Sequence, residues 1–199
     1  MIVAGITGGI GSGKTAFCKV WEELGVPVLY ADPAAKELME SDKELISALK
    51  RVFGEEAYGA DGRLNRTYLA KEAFEKNRVG ELNAIVHPAL HRHTRTRIRE
   101  EEAKGTPLFA KEAAILLNDG RPDYLDLVIV IAADEELRIQ RVMERDGVSE
   151  QEVRHRMSRQ LDQQAMLAHA DHVITNNNSP EELRAEAESL YKRILERNL

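Results

Sequence analysis

The sequence predicts an α/β fold: a five-stranded parallel sheet flanked by helices and interrupted by two helical insertions. Three observations lead there. Short apolar runs at 2–7, 27–30, 107–111, 127–132 and 172–175 read as strands. Helical periodicity fills most of the gaps between them. The first run leads directly into a glycine-rich segment, and that segment leads directly into a helical pattern, giving the order strand, loop, helix.

The glycine-rich segment is Gly8-Gly9-Ile10-Gly11-Ser12-Gly13-Lys14-Thr15, which reads G-x-x-x-x-G-K-[ST]. In such a P-loop the backbone from Gly9 through Ile10, Gly11, Ser12 and Gly13 wraps its N–H groups around nucleotide phosphates. Lys14 reaches the β/γ-phosphates, and the Thr15 hydroxyl ligates Mg²⁺. The sheet is therefore expected to be of the P-loop NTPase type. Residues 16–24 continue as a helix that ends at Gly25, a natural C-terminal stop.

The stretch 33–105 looks wholly helical and is too long for a crossover helix alone. Leu45, Ile46, Leu49, Val52 and Phe53 share one face, closed by Gly54. Val79, Leu82, Ile85 and Val86 share another, with Pro88 expected to bend or interrupt that helix. A small helical subdomain over the strand ends is expected. The stretch 136–169 reads as two helices. Gly147 ends the first, and Ser149 with Glu152 forms a capping box for the second, along which Val153, Met157 and Leu161 make a thin apolar stripe. A last helix opens at Ser179-Pro180-Glu181-Glu182, again a capping box with Pro at the first helical position, and repeats Leu183, Ala187, Leu190, Tyr191 and Ile194. The expected division is a nucleotide-binding core (1–32, 106–135 and 170–199), a helical acceptor-binding subdomain (33–105) and an arginine-rich lid (136–169).

The 199 residues suffice for one sizeable core, and 43% hydrophobic with 31% charged residues describe an ordinary soluble protein. A net charge of −6 argues against a general nucleic-acid binder. The single cysteine, Cys18, excludes an intramolecular disulfide and reads as a small buried apolar residue. No apolar run approaches the roughly 20 residues that span a bilayer. With no charged leader or cleavage site, a cytoplasmic protein is expected, without membrane or nucleic-acid partners, and as a monomer with an oligomer not excluded.

A P-loop alone does not define a reaction. The N-K-x-D base-reading motif of GTPases is absent, and motor or AAA-type ATPases are usually larger. A chain of this size with helical insertions fits a small-molecule kinase, which needs an acceptor pocket, a base and mobile cations over the phosphates. Asp32 follows the second apolar run, at the sheet edge where α/β folds bind ligands. Pro33 is expected to hold it out of the helical region, in an extended or turn conformation. It reads either as the base or as a helix cap. Glu112 ends the third run, as a Mg²⁺-water or acceptor contact or as a surface carboxylate. Lys111 reads as a solvated base or a phosphate contact. Arg138, Arg141, Arg145, Arg154, Arg156 and Arg159 crowd one segment, and the first three share a helix face. As a group they suit a lid that stabilises phosphoryl charge; the alternative is a solvated helix balanced by Glu135, Glu136, Glu144 and Glu152. Arg63, Arg66, His87, His91, Arg92, His93 and Arg95 make the first insertion locally basic, which suits an anionic acceptor. No Cys/His spacing suggests zinc. Asn176-Asn177-Asn178 is either an adenine contact or a loop former.

Taken together the pattern resembles the dephospho-CoA kinase family, from Ile2 to about Ile194. The blocks that carry the resemblance are Gly5-Ile6-Thr7 before the P-loop, Ala31-Asp32, Gly62-Arg63-Leu64-Asn65-Arg66 and Leu82-Asn83-Ala84-Ile85-Val86-His87-Pro88. They continue with Arg141, Arg145-Asp146-Gly147-Val148-Ser149, Arg156, Gln160 and Val173-Ile174-Thr175-Asn176. The resemblance implies transfer of the ATP γ-phosphoryl group to the ribose 3′-hydroxyl of dephospho-CoA. It implies Asp32 as the base, Arg141 among the lid arginines, Asn176 on the adenine side, and the helical insertion as the CoA-binding part. Tyr30 stands where many members have a second Asp. Ala114-Ile115-Leu116-Leu117-Asn118 stands where they usually read P-L-L-F-E, with Glu112 matching an earlier acid.

Overall fold

In the middle of the sheet, unbroken apolar runs become strands buried on both faces, as parallel sheets favour. The computed structural model describes residues 1–118 and 120–196; the last three residues of the expected core segment 170–199 lie outside the described residues. The strands are β1 (Ile2–Thr7), β2 (Val28–Tyr30), β3 (Leu108–Glu112), β4 (Leu127–Ala132) and β5 (His172–Thr175). Three match the sequence reading residue for residue; β2 and β3 each begin one residue later, and β3 extends to Glu112. Every residue of β3 and β4 is buried.

The sheet is parallel, with strand order β2-β3-β1-β4-β5. β1 is central, pairing Ile6 with Glu112 of β3 on one side and with Ile129 of β4 on the other. The chain leaves β1 toward β2 on one flank and leaves β3 toward β4 on the other. The direction of winding thus reverses between β1 and β3, and ligands of such sheets bind at the strand C-termini beside that reversal. The P-loop follows β1 there, and Glu112 ends β3.

The helices are α1 (Lys14–Glu23), α2 (Ala31–Ser41), α3 (Lys43–Phe53), α4 (Arg66–Ala70), α5 (Val79–Ala103), α6 (Glu135–Asp146), α7 (Glu150–Met157), α8 (Gln163–Leu167) and α9 (Pro180–Leu195). α1 packs on α9, where the fully buried Trp21 donates Nε1–H to the Ala187 carbonyl at 3.0 Å. Pro180 opens α9 and Ser179 accepts the Glu182 N–H. The Glu182 carboxylate accepts instead from Asn178 Nδ2, so the expected capping box forms only its first half.

Two compact units emerge, one of residues 1–29 with 98–199, the other 30–97. The second unit is helical, with a short 3₁₀ turn at Glu55–Ala57, a π turn at Lys71–Glu75 and one β-bridge between Tyr58 and Leu64. That bridge departs from the expected all-helical insertion. The unit has its own core, in which Leu45, Leu49 and Phe53 of α3 meet Leu69, Val86 and Ala89. α5 runs through Pro88 without interruption.

The segment after β4 holds three helices where two were expected. Gly147 ends α6 in the left-handed conformation (φ 66°), and the Ser149–Glu152 capping box opens α7. α8 is a single short turn capped by Asp162.

Candidate active site

The P-loop owes its shape to glycine. Gly8, Gly11 and Gly13 take φ values of 148°, 79° and 99°, which side-chain-bearing residues rarely adopt. Close approach matters as much. A Cβ on Gly8 would strike the Ile131 carbonyl, one on Gly9 the Arg138 guanidinium, one on Gly11 the Arg138 carbonyl, and one on Gly13 the Asn176 amide. The loop is therefore clasped by β4, α6 and the turn after β5.

Lys14 is 8% exposed and folds back over the loop, donating to the Gly8 carbonyl at 2.9 Å and the Gly9 carbonyl at 3.3 Å. Thr15 is exposed in the first turn of α1. Thr7 Oγ1, Ser12 Oγ and Arg138 Nε are buried without a hydrogen-bond partner among the described residues. Buried polar atoms are normally satisfied, so this trio around one loop suits a ligand rich in acceptor oxygens.

Asn176 is 7% exposed, and its Nδ2 donates to the Ser12 carbonyl at 2.8 Å. It braces the loop directly. Asn177 Oδ1 accepts the Asp134 N–H at 2.9 Å, so the asparagine run also serves as a loop former. Next to Asn176 a cleft of about 400 Å³ is lined by Thr175, Asn178, Ser179, Glu182 and Leu183.

The arginines of 136–169 divide sharply. Arg145 and Arg156 both hold Asp146, at 2.7 and 2.9 Å. Arg154 binds Glu135, Glu136 and Glu150 at 2.6–2.8 Å. For these three the balanced surface helix is the outcome. Arg141 instead donates Nη1 to the Asn176 carbonyl at 2.9 Å, tying α6 to the loop's brace. Arg138 is buried against the loop. A further contact had no local signal: Gln160 Oε1 accepts the N–H of Ile10 at 2.8 Å, across 150 residues of sequence. Ile10 itself packs with Ile139, Val142 and Val153 of α6 and α7.

Glu112 is 9% exposed, not a surface carboxylate. Burial, and next the Glu112 charge, raise the pKa of the fully buried Cys18 far above the thiol range. Cys18 is accordingly an inert apolar filler. Lys111 is not solvated. It is 4% exposed, donates Nζ to Tyr124 Oη at 2.7 Å, and burial lowers its pKa to about 8.

Asp32 belongs to the other unit, and there the non-helical, extended or turn conformation expected before Pro33 does not occur. α2 begins at Ala31, so Asp32 and Pro33 lie in its first turn; Tyr30 is the cap residue. A first-turn N–H has no intrahelical acceptor, so proline costs nothing there, and an acid suits the positive end of the helix dipole. Asp32 is exposed. Of the basic residues in the insertion, Arg66 pairs with Glu40 at 3.0 Å, and Arg92 lies 3.5 Å from Glu44.

A central P-loop at the C-terminal edge of a parallel sheet, with arginine-bearing helices packed on it, is the arrangement of the P-loop kinase fold. The family model described as dephospho-CoA kinase matches residues 1–182. A dephospho-CoA kinase of Salinibacter ruber is 41% identical over 192 residues, covering 96% of each chain. The crystal structure of TT1252 from Thermus thermophilus superposes with a TM-score of 0.78 at 35% identity, covering 96% of this chain and 97% of that one. The fold is also that of a dephospho-CoA kinase from Campylobacter jejuni (TM-score 0.71, 23% identity, 99% and 98% covered). The chain belongs to the dephospho-CoA kinase family.

Proposed function

We propose that the protein transfers the γ-phosphoryl group of ATP to the ribose 3′-hydroxyl of dephospho-CoA, giving coenzyme A and ADP, the last step of coenzyme A synthesis. The observation that carries this is the family match along nearly the whole chain, joined to a complete P-loop. The loop backbone from Gly9 to Gly13 cradles the phosphates, Lys14 neutralises the β/γ end, and Asn176 flanks the nucleotide at the neighbouring cleft. Asp32 orients the 3′-hydroxyl and accepts its proton, and Arg141 stabilises charge on the transferring group with the guanidinium nitrogens not used on Asn176.

The residues also fit Mg²⁺. Thr15 offers an exposed hydroxyl one residue after the phosphate-binding lysine. Among the described residues no cluster of His, Cys, Asp or Glu is built to hold a metal alone, which suits an ion shared with the nucleotide. Bound there, Mg²⁺ would neutralise charge on the β- and γ-oxygens.

In this reading residues 33–105 receive the acceptor, residues 136–169 act as the lid, and the protein works as a cytoplasmic monomer without nucleic-acid partners. Among the described residues no helix is long and apolar enough to cross a membrane. Phosphorus NMR of the product tests the reaction: one new monophosphate resonance on the ribose 3′-carbon is expected. Phosphorylation at any other position overturns the assignment.

A further inference from the structure

We propose that Arg138 is a second phosphate-binding cation of the donor site, seated at Gly9 to hold the outer phosphates of the nucleotide beside Lys14. The inference rests on the reading of the loop as an ATP site. It extends that reading to a residue whose position in the sequence carries no motif.

Arg138 is 7% exposed, Nε is buried without a hydrogen-bond partner, and no salt bridge among the described residues involves it. Glu135 and Asp162 act on it only at longer range, and Glu135 is already held by Arg154 at 2.6 Å. Arg141, Arg145, Arg154 and Arg156 each have a carboxylate or carbonyl. A buried guanidinium left in this condition is unfavourable unless something anionic meets it. Burial also pulls its pKa below the usual arginine value, which marks the same cost.

Its placement says what that anion is. Arg138 Nη1 occupies the space a Cβ on Gly9 would need, and its carbonyl lies where a Cβ on Gly11 would fall. Lys14 Nζ approaches the Gly9 carbonyl at 3.3 Å from within the loop. Two cations thus converge on one glycine. The lysine of this motif marks the β/γ end of the bound nucleotide, so Arg138 stands at that end too. Guanidinium presents a planar fork that matches two phosphate oxygens at once.

Calorimetric titration of ATP, ADP and AMP, without acceptor, into native protein and Arg138→Gln, Arg138→Lys and Arg138→Met tests this. Arg138→Gln should weaken ATP at least about tenfold, the loss of a charged hydrogen bond, and leave AMP within about twofold. Arg138→Lys should recover part of the loss, since it keeps the charge but not the fork. Arg138→Met removes an unpaired buried charge. It should therefore melt above the native protein without nucleotide, yet gain less than native on adding ATP. ATP affinity in the Gln and Met variants equal to that of the native protein overturns the proposal, as does an AMP loss as large as that for ATP. Native protein that binds ATP but fails to phosphorylate dephospho-CoA sinks only the acceptor assignment, and native protein that binds no ATP sinks both.

Discussion

The P-loop and the helical segment after β4 both concentrate positive character and handle it in opposite ways. In the loop the positive groups are backbone N–H dipoles and one lysine, and Lys14 rests on carbonyl oxygens that a phosphate can displace. In the helical segment Arg145, Arg154 and Arg156 are tied to carboxylates, with Arg154 alone meeting three. Arg141 and Arg138 differ from these three, and both face the loop's surroundings. Local arginine density therefore measures little. What matters is which cations are left facing a site after the neighbouring acids have taken theirs.

The contrast breaks first at Lys14. Lys14→Ala should lower kcat/KM by about 10³-fold, the scale of a preorganised charge on a transferring group, as read by coupled ADP release. A loss under about tenfold would mean the loop does not work through its lysine. Asp32 tests the other substrate's side. Asp32→Asn should depress kcat at least ~10²-fold while ATP affinity holds, within the range for a lost general base. A near-normal kcat removes Asp32 from that role.

Lys111 sharpens the comparison from outside, as a buried cation held by a phenol oxygen and not by an acid. Its pKa of about 8 lies below the unfolded value, so between pH 8 and 10.5 the unfolded chain binds the extra proton. This group's contribution is thus most favourable above the unfolded pKa and falls as pH drops toward 8. Denaturant melts should show native stability rising across that window relative to Lys111→Met, by up to about 3 kcal/mol. Parallel curves would show that Lys111 is not a perturbed group. The smallest effect belongs to the ion-paired surface. Arg154→Ala should leave turnover within about twofold, as expected of an exposed salt-bridge network remote from chemistry. A large fall in kcat would place Arg154 among the phosphate contacts.

Much of the architecture was readable because its causes are local. Buried parallel strands are continuous apolar runs, and a P-loop is written in glycines whose φ values and lack of Cβ are the function. Other features depend on distant partners. Gln160 meets Ile10 across 150 residues, and nothing near either one announces it. Lys111 looks solvated beside Glu112 until Tyr124, thirteen residues on, caps it. α8 has five residues, too few to show a helical period. Asp32 was placed correctly after β2 but given the wrong conformation, because the bias against helix before proline is weaker than a first turn's tolerance of it. The arginines were found as a group and could not be ranked, since their ranking depends on which acids come within about 4 Å after folding.

What sets this family's reaction apart from other phosphoryl transfers is its acceptor, dephospho-CoA. A panel of dephospho-CoA, nucleoside monophosphates and small alcohols, each with ATP and Mg²⁺, tests it most directly by ADP release. Turnover of dephospho-CoA is expected, with one ADP formed per coenzyme A, and little with the others. Strong turnover of a nucleoside monophosphate with none of dephospho-CoA would contradict it.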